Sequence, residues 1–290
     1  MSEKTLYLEI FQPFAQYRNP FTFYYAQTYP LPPKSTIIGM LQNLVDDYYG
    51  HVHGVENWWK LKVSIHGGFE SIFWGYQQLI KGETSLSTNG LLNKHDRNPL
   101  GKVWHLLYHS NIKAQRTPVY QQELFNGHLF IFLQGNADLV GLIKSSLENQ
   151  KKVLYLGRSE DVMFIKNIVD IDACNIEKEI KTVKKNIWLG YPTYIKLKDR
   201  DRGKKFPIKN EKFPVYSIPT RVEFWNSNNR IKNKAELSKE TERKVDFETV
   251  IYTGLDYVVY LSGEVKIEIF KINLNGKDFI FKIPVDFGWL

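Results

Sequence analysis

Apolar and polar positions alternate along residues 5 to 11, TLYLEIF, the period of a strand with one buried face. A loop rich in aromatic and turn residues follows, and then the spacing changes. Ile37, Ile38, Leu41, Leu44, Val45 and Tyr48 recur three and four residues apart, which predicts a helix with one buried stripe. Pro32 and Pro33 fix φ and keep the residues before them extended, so the helix cannot begin earlier. Ser35 or Thr36 is placed to cap it. Gly39 falls on the opposite, polar face with Gln42, Asn43, Asp46 and Asp47. Glycine inside a helix costs about 1 kcal/mol relative to alanine, so its presence here predicts that something lies close against the first turn. The competing reading is a glycine that packs against a neighbouring loop.

Further along, LKVSIHGGFESIFWGYQQLI reads as a long strand bent or bulged at Gly67 and Gly68. Residues 81 to 100 have turn chemistry and little periodicity. Strand-like text resumes around KAQRTPV and ends in HLFIFLQG. Asp138 is placed to cap a short helix, LVGLIKSSLEN, and KVLYLG and MFIKNIVDIDAC read as strands. The order to about residue 174 is β-α-β-β-α-β with an insertion at about 81–116, the ferredoxin-like or RNA-recognition-motif plan. We therefore expect an α+β fold, with a ferredoxin-like domain over residues 1–183 and a smaller β-rich domain over 184–290. The second domain holds the strand candidates RVEFW, TVIYTG, YVVYLSG, KIEIFKINL and DFIFKIPV. Between its strands, RIKNKAELSKETERK reads as a charged, solvated excursion.

Composition narrows the classes. The chain has 290 residues, is 43% hydrophobic and 14% aromatic, and has one cysteine, Cys174. A sizeable core is possible, a disulfide framework is excluded, and a reducing cytoplasm is the expected location. The start, MSEKTLYLEIF, lacks the pattern of a secretory signal, and no apolar run approaches a membrane span, so no membrane partner is expected. The formal charge is +8. Between Lys178 and Lys212 there are twelve Lys/Arg and four Asp/Glu; Lys94 to Arg116 holds five Lys/Arg and one Asp. Basic segments interleaved with aromatics suit a polyanion whose phosphates meet cations and whose bases meet rings, although such loops also serve solubility.

QPFAQYRNP after the first strand, then TYPLPPKSTIIGML, resembles the fifth CRISPR-associated (Cas) protein family, of the RAMP superfamily, subunits of type I Cascade complexes. RTPVYQQELFNGHLFIFL and YLGRSED follow in the expected order, and the resemblance covers roughly the first 165 residues. It implies a non-catalytic subunit of an antiviral ribonucleoprotein that caps the Cascade backbone and holds the repeat-derived 5′ handle of the CRISPR RNA. The implied partners are that RNA, the backbone subunit, the large subunit and, through the assembled complex, target DNA. The insertion becomes a thumb that reaches towards the neighbouring subunit and the guide. In this light Lys34, Ser35, Thr36 and Gly39 form a phosphate- or base-facing corner, where a helix start offers free amides. Arg18 and Asn19 are either RNA contacts or an ordinary turn. Arg158, beside Ser159, can clamp a phosphate or pair with Glu160 or Asp161. In the thumb, Lys94, Arg97, Lys102, Lys113 and Arg116 are candidate contacts as a group.

One branch of the family cuts precursor RNA without metal, which makes an endoribonuclease the alternative. Such chemistry needs a base for the ribose 2′-hydroxyl and a cation for developing charge. Tyr48, Tyr49, His105, His109 and Lys113 are possible pieces. His51 and His53 lack partners for a metal, and no phosphate-cradling loop or nucleophile elbow is present, so neither metal nor cofactor is expected.

Overall fold

The computed structural model describes residues 3–22, 24–81, 115–174, 176–199, 203–209, 212–226, 229–231, 241–274 and 276–290. Strands dominate. The chain runs β1 (Glu3–Ala15), β2 (Tyr25–Ala26), α1 (Lys34–Leu44), a single 3-10 turn (Tyr48–Gly50), α2 (Val55–Lys60), β3 (Lys62–Lys81), β4 (Gln115–Asn136), α3 (Ala137–Glu148) and β5 (Phe164–Asp170). There follow β6 (Lys178–Val183), β7 (Asn186–Trp188), β8 (Tyr194–Lys196), β9 (Val215–Asn226), β10 (Asn229–Arg230), β11 (Glu242–Tyr252), β12 (Val258–Tyr260), β13 (Val265–Leu274) and β14 (Lys277–Pro284). No helix among the described residues is long and apolar enough to cross a membrane.

β1 is central to the first sheet. It runs antiparallel to β4 from Glu3↔Asn136 to Ala15↔Leu124, and antiparallel to β5 from Leu6↔Asp170 to Phe11↔Phe164. β4 also pairs with β3 and, in parallel at Tyr25 and Ala26, with β2. Alternation sorts the side chains. Leu6, Leu8, Ile10, Leu129, Ile131 and Leu133 join Ile37 and Leu41 of α1 and Ile143 of α3 in one core. Tyr7, Phe130 and Phe132 point to the other face and pack with Phe270, Phe281 and Trp289. Each such side chain contributes about 1.5–3 kcal/mol by burial. β13 explains its own continuous apolar text: Val265, Ile267 and Ile269 enter a third core while Phe270 and Ile272 enter the aromatic one. Gly67 has φ +106°, and a Cβ there would lie 2.1 Å from the carbonyl oxygen of His128, so the expected bend is a place of close backbone approach.

The chain divides into two compact units: Met1–Asn19, Thr28–Phe73 and Glu123–Leu290 form the first, Pro20–Gln27 and Trp74–Gln122 the second. The boundary expected at 183/184 falls inside the first unit, between β6 and β7. The second unit contains the expected insertion, most of which lies outside the described residues.

Several local expectations are corrected. α1 begins at Lys34, and its N-cap is Pro33, with no side-chain capping bond, in place of Ser35 or Thr36. It ends at Leu44 because Asp46 takes φ +57° and the buried carboxylate of Asp47 folds the chain back, accepting from the amides of Val52 and His53 and from Trp58 Nε1. Tyr48 therefore leaves the apolar stripe and is 51% exposed. α3 is capped by Asn136, whose Oδ1 accepts from Asp138 and Leu139 amides, so Asp138 is a first-turn residue. KVLYLG is an irregular segment carrying only an isolated Tyr155↔Val162 bridge. The ends of RIKNKAELSKETERK lie in β10 and β11.

Candidate nucleic-acid interface

Two places gather the motif residues, and they differ in kind. The first joins QPFAQYRNP, QELF and LGRSED. Asp161, fully buried, accepts from the backbone amides of Gln16 at 3.0 Å and Arg158 at 2.8 Å, and from Arg158 Nη2 at 2.8 Å. Arg158 Nη1 donates to Glu123 at 2.8 Å, and Glu160 lies 3.4 Å from Nε. Gln12 donates to the carbonyls of Leu156 and Asp161 and accepts from the Tyr17 hydroxyl. Gly157 makes the turn possible: its φ is +118°, and a Cβ there would meet Asp161 Oδ2 at 2.7 Å and Gln16 O at 2.9 Å. Burial opposes the Arg158 charge, but the hydrogen bonds it donates to Asp161 and Glu123 outweigh it and raise the guanidinium above its ordinary value. The ion-pair reading of Arg158 describes what is present, with Glu123 as the partner local sequence could not suggest. Ser159 beside it is exposed and donates to Glu160.

The second place is the corner at the start of α1. A cavity of 440 Å³ opens against Ser35, Thr36, Gly39, Gln42 and Asn43, the polar face of the helix. Tyr48, Trp59, Tyr155, Phe224 and the exposed Arg243 stand at its rim, and Glu223 and Arg230 complete the lining. Gly39 is exposed, and a Cβ built on it meets nothing within 4 Å. The reading in which Gly39 packs against a loop of this chain is therefore corrected: the space over it is open. Arg230 pairs with Glu223 at 2.9 Å and with Glu56 at 3.1 Å. Among the ionisable lining groups, Glu223 balances one guanidinium, which leaves the cavity with excess positive charge at Arg243 on its rim.

Lys34 requires correction. It is 7% exposed, and its ammonium donates to the backbone oxygens of Trp59 at 2.9 Å and Leu290 at 3.1 Å. Burial, then repulsion from Lys196 and Arg221, lowers its pKa to about 8, with Glu248 offsetting part of the shift. It points into the protein and is not a surface phosphate contact. Arg18 is exposed and bridges Thr28 in the backbone; Asn19 is half-buried. Lys94, Arg97, Lys102 and Lys113 lie outside the described residues, as do His105 and His109, while Arg116 lies on β4. Sequence reasoning missed Arg243, Arg230, Trp59, Tyr155 and Phe224, because they reach the cavity from distant segments. Gln42 and Asn43 were placed on the polar face with Gly39 but not among the candidate contacts.

The fold and cavity define a β-rich protein whose ligand-sized cleft lies between a helix and a strand pair. The chain matches the family described as "CRISPR-associated protein (Cas_Cas5)" over residues 5–201, and it belongs to that family. It is similar in fold to a Cas protein (18% identity, 55% of this chain and 58% of that one, TM-score 0.32). It also resembles a chain of a CRISPR RNA-guided surveillance complex (12% identity, 89% and 90% covered, TM-score 0.44). A third likeness is to a CRISPR protein from Archaeoglobus fulgidus (10% identity, 96% and 99% covered, TM-score 0.38). The chain thus spans 58% of the length of the first of these. At these TM-scores the likenesses add nothing to the assignment, which rests on the family match. No curated protein matches the chain.

Proposed function

We propose that this chain is a non-catalytic RNA-binding subunit of a type I Cascade complex, and that it holds the 5′ handle of CRISPR RNA while capping the backbone. The observation that carries the reading is the open cavity over Gly39. A helix that tolerates glycine and leaves the space above it empty has room for a ligand. The amide side chain of Gln42 can read a base edge, Tyr48, whose hydroxyl donates to Asn43 Oδ1, and Trp59 can stack on it, and Arg243 can meet a phosphate. The strand order β5-β1-β4, with β3 on β4, supports a ferredoxin-like reading of the first sheet. The partners that follow are the handle, the backbone and large subunits and, in the complex, target DNA, in a cytoplasmic setting.

Cleavage is the competing function, since Tyr48, Glu223, Arg230 and Arg243 line the same cavity. His66, on β3, is buried against Phe132 and Phe281, and burial lowers its pKa to about 3, so its imidazole is neutral and enclosed. Incubating the purified chain with its repeat RNA in EDTA separates the two functions. We expect a retarded complex with intact RNA; scission within the repeat would establish the endoribonuclease instead.

A further inference from the structure

On the face of the first sheet opposite α1, the inner positions are covered. Phe130 packs against Tyr191 at 4.7 Å and Phe281 at 5.3 Å between ring centres. The next register row outwards is not. Phe11 is the direct partner of His128 on β4 and of Phe164 on β5, so three rings stand side by side across three adjacent strands. Phe11 lies 5.2 Å from His128, and 6.3 Å from Phe164 at an interplanar angle of 29°. His128 is exposed, and Phe164 is 51% exposed. The ammonium of Lys166 sits 5.5 Å from the centre of the Phe11 ring. Glu9, the acid one pair inwards, is hydrogen-bonded by Asn167.

A row of solvent-facing rings across three adjacent strands of a sheet suits unpaired bases, which lie flat on the rings while the backbone passes a cation. The row itself contains no aliphatic side chain, and its cation complements a phosphate. We infer that Phe11, His128 and Phe164 form a stacking platform for unpaired nucleobases of single-stranded RNA, with Lys166 facing the adjoining phosphate. This deepens the RNA-binding reading and rests on it, but places a second contact away from the Gly39 cavity, on the opposite face of the sheet.

The test uses the full chain, a fluorescein-labelled oligouridine, and an abasic oligomer of equal length. In the double variant His128→Ala/Phe164→Ala both lost rings are exposed, so the melting temperature should hold. Oligouridine affinity should fall about tenfold, roughly 1.4 kcal/mol, with the salt slope unchanged, while the abasic oligomer binds both proteins alike. His128→Phe should keep or improve oligouridine binding. Lys166→Ala should weaken both oligomers and lower the salt slope by about 0.7. Undiminished oligouridine binding by the double variant, or equal losses for both oligomers, would overturn the inference. So would a change of oligomeric state with RNA affinity unaltered, which would mark a protein-docking face. If the wild type binds repeat RNA but the double variant loses nothing, only the platform falls; if the wild type binds no RNA, the wider reading falls with it.

Discussion

The Arg158 corner and the Gly39 cavity both lie in motifs that point to RNA, and they behave in opposite ways. At Arg158 the guanidinium is enclosed by Asp161, Glu123 and Glu160, and the adjoining turn is closed by a glycine with no room for a side chain. At Gly39 a glycine has room and no neighbour, and the nearby polar side chains face a cleft. A charged residue in a motif is therefore a poor guide to a binding surface. Whether its hydrogen-bonding capacity is already satisfied within the chain decides the matter. The corner holds three motifs together; the cavity is where a ligand has space.

The sharpest way to break this contrast is to remove Asp161. Asp161→Ala leaves the Arg158 guanidinium and the amides of Gln16 and Arg158 without their acceptor. Losing one partner of a buried ion pair costs about 3–5 kcal/mol, so thermal melts should fall by on the order of 10 °C. RNA affinity, measured well below the transition, should barely change. A variant that melts normally but no longer binds RNA would make the corner a binding site after all.

Lys34 and Gly39 set the same contrast within one helix. Lys34→Ala strips the oxygens of Trp59 and Leu290 of their donor, and we expect a loss of about 1–3 kcal/mol in urea melts with RNA binding retained. The sign of its pH dependence follows from the lowered pKa. Between about 8 in the folded chain and 10.5 in the unfolded one, the unfolded state binds more protons. Wild-type stability should therefore gain up to ~1.4 kcal/mol per pH unit across that window relative to Lys34→Ala, and nothing below it. A flat difference between pH 8 and 10 would show that the ammonium is not enclosed.

These cases also show what the sequence could carry. Periodicity reports burial, so β1, the stripe Ile37, Ile38, Leu41 and Leu44, and the C-terminal strands from KIEIFKINL and DFIFKIPV were legible. It does not report partners. Lys34 read as a surface cation because Leu290, which accepts its hydrogen bond, lies at the other end of the sequence. Arg158 read as a possible clamp because Glu123 is remote in the chain. The cavity was half visible: its helix wall follows from one local pattern, whereas Arg243, Tyr155 and Phe224 arrive through strand pairing and loops.

Gly39→Leu is the complementary substitution, with a smaller effect on the fold. The new side chain enters open space, and the gain in helix propensity is at most about 1 kcal/mol. The melting temperature should hold or rise. Handle RNA should bind roughly tenfold more weakly, because the leucine occupies volume that the ligand needs. Unfolding would mean that the glycine serves packing, and unchanged binding would move the ligand out of the cavity.

The subtlest test is Arg243, which separates charge from space. It sits on β11 opposite Phe224 of β9, exposed at the rim, so Arg243→Ala should alter stability by no more than about 0.5 kcal/mol. If it meets one phosphate, the dependence of log affinity on log salt should become shallower by about 0.7 for single-stranded RNA. Arg243→Lys keeps the charge but not the planar fork. A lysine that restores both slope and affinity marks a simple phosphate contact. One that restores the slope but not the affinity marks a bidentate or stacked contact, which would tie Arg243 to the bases in the cavity. An alanine variant with the wild-type slope would leave Arg243 outside the interface and the recognition to the amides and rings around Gly39.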